Sequence, residues 1–195
     1  MFQFIESLCC QNGTLINLGY HQDRIDTTFE AFYPKCRKPL LSHCILPLNT
    51  PGRCKVRFLY NRDQFAYTIN PYQPQNIRTL KVVFSDSIEY AYKFRDRSAL
   101  TKLYSQRNRC DDILIIKNGL VTDTYFANVV FFDGNKWITP SQPLLRGTRR
   151  QQLIDTGKIV EEAISHDQIN TFEKISLVNA MLNLSEIELH ISDLC

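Results

Sequence analysis

Short segments of the chain alternate hydrophobic and polar positions and are joined by residues typical of tight turns. Three pairs of such segments meet at Asn12-Gly13, Asn118-Gly119 and Asp133-Gly134. Asparagine or aspartate followed by glycine supplies the positive φ angles that two-residue hairpin turns require. A fourth alternating stretch covers residues 55–69 and turns at residues 61–63. The pattern therefore predicts four β-hairpins.

Apolar residues recur at helical spacing in the segments between the hairpins. In residues 21–33, Ile25, Phe29 and Phe32 form one apolar stripe, and Pro34 ends it. Three further helices are predicted, over residues 96–108, 148–157 and 165–175. Residues 88–94 alternate instead, which predicts a strand that ends near Lys93.

Hairpins dominate this order of elements, and helices are interspersed among them. Such an arrangement predicts an α+β fold with largely antiparallel sheets rather than a doubly wound parallel sheet. We expect an N-terminal lobe over residues 1–84, a linker with the Lys93 strand over 85–93, and a C-terminal lobe over 94–195.

Composition and charge narrow the class of protein. The 195 residues include 44% hydrophobic residues and 23 Lys+Arg against 20 Asp+Glu, so the net charge is +3. This small net charge and the absence of a block of basic residues argue against a protein dedicated to nucleic-acid binding. No apolar run reaches the roughly 18 residues of a membrane span, and Glu6 interrupts any signal-like N-terminus. We expect a soluble, cytoplasmic protein.

The cysteines do not form a recognisable framework. There are seven, and no two stand in a C-x-x-C arrangement or at zinc-finger spacing. We therefore expect reduced thiols and no metal site.

Three local patterns carry candidate chemistry, and each also has an ordinary explanation. Gly147 and Thr148 precede a predicted helix next to several arginines, which suits either a phosphate or a basic surface turn. Lys93 at a strand end could be a nucleophilic amine or a solvated lysine. Asp123 before the polar loop 124–128 reads equally well as a capped turn.

Taken together and in order, these patterns resemble the class IV aminotransferase family of pyridoxal-phosphate enzymes. The motifs FIES, NG and HQDR come first, YKFRDRS follows, and DDILIIKNGLVTD, TYFAN, ITPSQPLLRGTRR and SLVNAM complete the series. The resemblance extends from Phe4 to about Leu184 and is strongest over residues 110–154. It implies a two-lobe D-amino-acid aminotransferase-like fold with a small α/β N-terminal lobe and a barrel-like C-terminal lobe.

The resemblance also implies residue roles for a pyridoxal 5'-phosphate site. Lys93 would be the Schiff-base lysine and the proton carrier, and Asp123 would pair with the pyridine nitrogen. Leu145 would underlie the cofactor ring. The remaining cofactor-binding positions implied are Arg24, Asn128, Gly147, Thr148, Arg149, Asn179 and Ala180.

Substrate and assembly are less sharply defined. An amino-acid carboxylate usually needs an arginine or a hydroxyl. The main candidates for the substrate pocket are Arg53, Tyr92, Arg95 and Tyr125, and Arg97 is an alternative to Arg95. The leading hypothesis is amino transfer between an amino acid and a 2-oxo acid by a homodimer. The alternatives are a lyase resembling 4-amino-4-deoxychorismate lyase, which releases pyruvate, and a degenerate, non-catalytic member of the family.

Two departures from the family pattern bear on activity. Asp123 stands where the family usually has glutamate, so its carboxylate is one methylene shorter. The chain is also short before the FIES strand and in its first lobe, where the family builds part of its substrate pocket.

Overall fold

The chain folds into two units and passes from one to the other three times. The computed structural model describes residues 2–45 and 49–195. The first unit consists of Met1–Pro74 with Tyr92–Asp96, and the second of Gln75–Ala91 with Arg97–Cys195. Both combine sheets with a few helices, which confirms the predicted α+β class. No helix among the described residues is both long and apolar enough to cross a membrane.

The first unit is built on one antiparallel sheet in the order β2-β1-β3-β4. Its strands are β1 (Phe4–Gln11), β2 (Thr14–Leu15), β3 (Arg53–Tyr60) and β4 (Phe65–Pro71), and its helices are α1 (Leu18–Phe32) and α2 (Leu41–Cys44). Alternation along β1 buries Phe4, Glu6 and Leu8 on one face. Ile25 and Phe29 of α1 belong to the same hydrophobic core as Phe4 and Leu8. The buried Glu6 is therefore an acidic residue on a strand face that is otherwise apolar.

The second unit contains an eight-stranded sheet. The main path runs β10-β9-β8-β7-β6-β5, and β11 pairs with both β8 and β12. The strands are β5 (Leu80–Phe84), β6 (Asp112–Lys117), β7 (Leu120–Thr124), β8 (Asn128–Phe132), β9 (Trp137–Pro140), β10 (Val160–Glu162), β11 (Lys174–Val178) and β12 (Glu188–His190). The helices are α3 (Ser98–Tyr104) and α4 (Thr148–Asp155). The β5–β6 and β9–β10 pairs are parallel, and the other pairs are antiparallel.

All four predicted hairpins are confirmed. Asn12-Gly13 joins β1 to β2, Asn118-Gly119 joins β6 to β7, and Asp133-Gly134 lies between β8 and β9. Both residues of the Asn118-Gly119 turn have positive φ, at 50° and 75°. The fourth hairpin joins β3 to β4.

The predicted helices form, with shifted ends. The helix predicted over 21–33 begins earlier, at Leu18, and α3 and α4 end before the predicted limits. The segment predicted over 165–175 is a 3-10 helix, His166–Thr171, which the side chains of Ser165 and Gln168 cap.

The strand predicted over residues 88–94 does not form. This segment is irregular, and only Phe94 makes an isolated bridge, to Phe4. The chain leaves the second unit at Ala91 and enters the first at Tyr92. The alternation of apolar residues therefore reflects burial of Ile88 and Tyr90 in an irregular segment rather than one continuous sheet face.

The expectation that all seven cysteines are reduced is wrong for one pair. A disulfide joins Cys110 and Cys195 across 85 positions. Both cysteines lie near the start of β5, because Cys195 N–H donates to the Leu80 carbonyl and Asp111 N–H donates to the Thr79 carbonyl. The other five cysteines are free thiols.

Candidate active site

A backbone bridge holds the segment that carries Lys93 in the first unit. The Lys93 carbonyl accepts a hydrogen bond from Ile5 N–H at 3.0 Å, and Arg95 N–H donates to the Gln3 carbonyl at 2.8 Å. These bonds attach residues 93–95 to the start of β1, and the rings of Phe94 and Phe4 pack 5.1 Å apart. The half-buried Lys93 therefore projects from backbone that is hydrogen-bonded to the start of β1.

Arg24 belongs to a buried ionic cluster of the same unit. Its Nε and Nη2 donate side-on to the two oxygens of Glu6 at 2.8 and 2.5 Å. His21 Nδ1 lies 2.6 Å from Glu6 Oε2. Glu6 and His21 are fully buried, whereas the Arg24 side chain is 13% exposed. The H-x-x-R spacing places His21 and Arg24 on one face of α1, above the buried Glu6 of β1.

The charge states of this cluster follow from burial and pairing. Burial alone would raise the pKa of Glu6, but the Arg24 charge and the His21 hydrogen bond outweigh it and lower that pKa to about 2. Burial lowers the pKa of His21, and the positive charges of Arg24 and Lys93 add to this effect. Glu6 is therefore ionised and His21 neutral at pH 7, so His21 donates its Nδ1 proton to Glu6.

We expect Glu6→Gln to destabilise the protein by about 3 kcal/mol or more at pH 7, because it leaves the Arg24 charge without its carboxylate. The lowered pKa makes this stabilisation fully present above pH 4.5 and lost as pH falls through about 2. Urea unfolding of the wild type and the variant between pH 7 and pH 2.5 measures both the loss and its pH dependence.

Glu30→Gln is the matched control, because Glu30 forms an exposed pair with Lys38 in the same unit. This substitution should lower the free energy of unfolding by less than about 1 kcal/mol. A Glu6→Gln penalty no larger than that of Glu30→Gln, or one that stays constant down to pH 2.5, would contradict the buried ionic cluster.

A β-bulge positions Asp123 in the second unit. Thr124 pairs with Leu114 and Val121 with Ile116, so Thr122 and Asp123 of β7 lie opposite the single residue Ile115 of β6. The extra residue breaks the alternation of the strand, and four consecutive residues of β7 are buried. Bulges of this kind redirect side chains in sheets.

The Asp123 carboxylate is held by two donors. Asn128 Nδ2 donates to its Oδ1 at 2.7 Å, and Leu145 N–H donates to its Oδ2 at 2.9 Å. Asn128 Nδ2 also donates to the Leu145 carbonyl at 2.8 Å. Three predicted site residues, Asp123, Asn128 and Leu145, therefore form one hydrogen-bonded network.

Burial dominates the electrostatics of Asp123. It raises the pKa of the carboxyl to about 6, although the donors from Leu145 and Asn128 and the charge of Arg150 oppose it. Asp112, on the neighbouring strand β6, is also fully buried, and burial raises its pKa to about 6. The unit thus holds two buried acids with similar pKa values, of which only Asp123 is a predicted site residue.

Gly147, Thr148 and Arg149 form the start of α4. Gly147 is the residue before the helix and has no side chain to cap it. Thr148 is buried, and Arg149 Nη1 donates to Gln152 Oε1 at 3.3 Å. The first backbone N–H groups of a helix favour anions, so this turn has the chemistry expected of a phosphate anchor.

Asn179 and Ala180 lie in the turn after β11. Asn179 Oδ1 accepts from the N–H groups of Met181 and Leu182 at 2.8 and 3.1 Å. Asn179 Nδ2 donates to the Phe126 carbonyl at 3.3 Å, in the loop between β7 and β8. Asn179 therefore stabilises a turn and that loop, and its role at a phosphate stays a prediction.

Of the four main candidates for substrate contact, three lie in the first unit and one lies in the second. In the first unit, Tyr92 packs edge-on against Phe32 at 4.8 Å, Arg95 is exposed, and Arg53 begins β3. In the second unit, the ring of Tyr125 stacks on Tyr104 at 4.3 Å. Their roles stay predictions.

Two titratable residues, Glu6 and His21, are not among the predicted site residues, and Arg97 is predicted only as an alternative to Arg95 for the substrate carboxylate. Glu6 and His21 are the buried partners of Arg24, and Arg97 covers the Tyr125 ring at 4.2 Å while donating to the Tyr125 carbonyl. Glu6 could have been found from alternation, because it shares a strand face with Phe4 and Leu8. Nothing in the sequence distinguishes Arg97 from the other arginines.

Comparison with known proteins gives a match along nearly the whole chain. The sequence profile described as amino-transferase class IV matches residues 3–189. An uncharacterized protein of Haemophilus influenzae is 38% identical over 190 residues, which cover 94% of this chain and 100% of that protein.

Solved structures agree with this match. A proposed 4-amino-4-deoxychorismate lyase from Haemophilus somnus is 37% identical, covers 94% of this chain and 98% of its own, and superposes with a TM-score of 0.88. A proposed amino-acid aminotransferase from Mesorhizobium loti shares 20% identity over 100% of both chains, with a TM-score of 0.81. At that lower identity the second similarity establishes the fold alone.

Proposed function

Because the chain belongs to the class IV aminotransferase family and is thus a pyridoxal-phosphate-dependent aminotransferase or lyase, we propose that it transfers an amino group between an amino acid and a 2-oxo acid through cofactor bound to Lys93. The observation that carries this proposal is the Asp123 network. It holds a buried carboxylate, with a pKa raised to about 6, between two donors.

The hydrogen-bonding groups around Asp123 fit the ring of pyridoxal phosphate. When bound, the cofactor supplies an electron sink for the electrons left behind as the substrate α-proton departs. A carboxylate oxygen can accept more than one hydrogen bond. Asp123 can therefore keep its hydrogen bonds to Asn128 and Leu145 and still accept a hydrogen bond from a protonated ring nitrogen.

Lys93 would act as nucleophile and then as proton carrier. Its amine would attach the cofactor covalently and, once released, would move the proton at the substrate α-carbon. The bonds that fix residues 93–95 to β1 limit where this amine can reach. An amine carried on anchored backbone has less freedom to lose at the moment of proton transfer, which favours the reaction.

Each unit, taken by itself, offers a group that suits a phosphate. In the second unit, the backbone of Thr148 and Arg149 at the start of α4 offers donors next to Gly147. In the first unit, Arg24 offers a guanidinium that Glu6 holds in one orientation. Oriented guanidinium groups suit phosphate oxygens.

A second candidate reaction is the lyase reaction that releases pyruvate from 4-amino-4-deoxychorismate. The observation that favours it is the similarity to the Haemophilus somnus protein, at 37% identity over nearly the full length of both chains. Both reactions would use the same lysine and the same acid. The homodimer and the cytoplasmic location expected from the sequence stay predictions.

Product analysis separates the two reactions. The protein is incubated with pyridoxal phosphate and either an amino acid plus 2-oxoglutarate or 4-amino-4-deoxychorismate. Alanine is left out, because its transamination also yields pyruvate. We expect glutamate from the first mixture; pyruvate from the second would favour the lyase. Neither product from any donor tested would contradict both reactions and favour the non-catalytic alternative.

A further inference from the structure

We infer that Asn128 is a positioning residue that ties the Asp123 carboxylate to the turn that begins α4. The purpose of this arrangement rests on the proposed function, whereas its geometry is a property of the second unit alone. The link would hold the ring acid and the phosphate turn at a constant spacing.

The nitrogen end of the Asn128 side chain makes the first half of this link. Nδ2 donates to Asp123 Oδ1 at 2.7 Å and to the Leu145 carbonyl at 2.8 Å. Asp123 and Asn128 are also directly paired across β7 and β8. Because both amide protons meet acceptors, the orientation of the amide is determined.

The oxygen end makes the second half. A Cβ added to Gly147 would overlap Asn128 Oδ1 and approach Asn128 Cγ at 3.2 Å. Gly147 has a φ of −72°, which any residue can adopt. Glycine is therefore required here to leave space for the Asn128 amide, and its conformational freedom is not the reason.

Few other residue types could make both contacts. Aspartate at 128 would place a second carboxylate against Asp123, and leucine would donate no hydrogen bond. From α4, the charged group that acts on Asp123 is Arg150, whose own side chain bonds to Thr139, the Pro140 carbonyl and Glu161. Among the residues that the structure describes, the side chain that hydrogen-bonds directly to Asp123 is that of Asn128.

The first test is an NMR titration of the full-length protein labelled at the aspartate carboxyl carbons, without and with pyridoxal phosphate. Asp123→Asn identifies the Asp123 signal. We expect Asn128→Ala to raise the pKa of Asp123 by roughly one unit, because the ionised form loses a donor. The Asp112 signal is the internal control and should not shift.

The second test uses Gly147→Ala, which changes a residue that makes no hydrogen bond to Asp123. We expect it to raise the pKa of Asp123 in the same direction and to lower Tm by roughly 3 to 10 °C, because its methyl group displaces the Asn128 amide. In the Asn128→Ala background the same change should lower Tm much less. Gly19→Ala is the control, because nothing lies within 4 Å of that position.

Additive Tm changes in the double variant, or an unchanged Asp123 pKa in both single variants, would overturn the inference. If Asn128→Ala does not fold, Gly147→Ala alone still measures the shift. A protein that shows the coupling but takes up no pyridoxal phosphate would keep the link and reject the proposed function. A protein that takes up the cofactor but shows no coupling between positions 128 and 147 would reject the link and keep the proposed function.

Discussion

Lys93→Ala should abolish the covalent attachment of pyridoxal phosphate and reduce turnover on the order of 1,000-fold or more. The physical reason is that one amine serves both as the nucleophile that binds the cofactor and as the carrier of the substrate proton. The wild type, mixed with cofactor, should show an absorption band near the visible range. Borohydride should then fix the label on Lys93, which peptide mass spectrometry locates.

Lys117→Ala is the matched control for this experiment. Lys117 is partly buried as well, with 19% of its side chain exposed, and it pairs with Glu89 at the end of β6. We expect this variant to keep both the label and the activity. A reducible label on the Lys93→Ala protein would show that another lysine binds the cofactor. No label on the wild type would reject the proposed function.

Asp123→Asn should lower turnover by about 100-fold or more, because it removes the negative charge proposed to keep the ring nitrogen protonated. Asparagine has nearly the same shape, but it must present an amide group to one of the two donors, Asn128 or Leu145. Steady-state kinetics of the loaded enzyme measure the loss. Cofactor titration separates weaker binding from slower chemistry.

Asp112→Asn provides the control, since Asp112 is equally buried and has a similarly raised pKa. We expect its turnover to stay within about twofold of the wild type. A loss as large as that of Asp123→Asn would mean that any buried acid of this sheet matters, and would remove the specific role of Asp123.

These two acids also predict the direction of a pH effect on stability. Their pKa values rise from 3.8 to about 6 on folding, so the folded protein binds more protons than the unfolded chain in that interval. Stability should therefore decrease as pH rises from about 4 to 6, by up to roughly 3 kcal/mol for each acid, and then level off. Asp112→Asn and Asp123→Asn should each remove the part of this pH dependence of stability that the replaced carboxyl group contributes.

Local signals in the sequence were sufficient for most of the fold. The turns at Asn12-Gly13 and Asn118-Gly119 depend on backbone conformations of two adjacent residues, and the stripe of Ile25 and Phe29 depends on spacing within one helix. Such signals do not need the rest of the chain. The segment 88–94 shows the limit, because burial of alternate residues in an irregular segment produces the same pattern as a strand.

The sequence by itself determined the α+β class, the hairpins and the family resemblance with its ordered motifs. Only the tertiary structure decided the partners of those motifs: Glu6 and His21 beside Arg24, the bulge that redirects Asp123, the contact of Asn128 with Gly147, and the Cys110–Cys195 disulfide. The paired residues around the bulge are 5 to 10 positions apart, and the other contacts join residues that are 15 to 85 positions apart. Their pairing depends on strand register and burial, and the local sequence pattern determines neither of them.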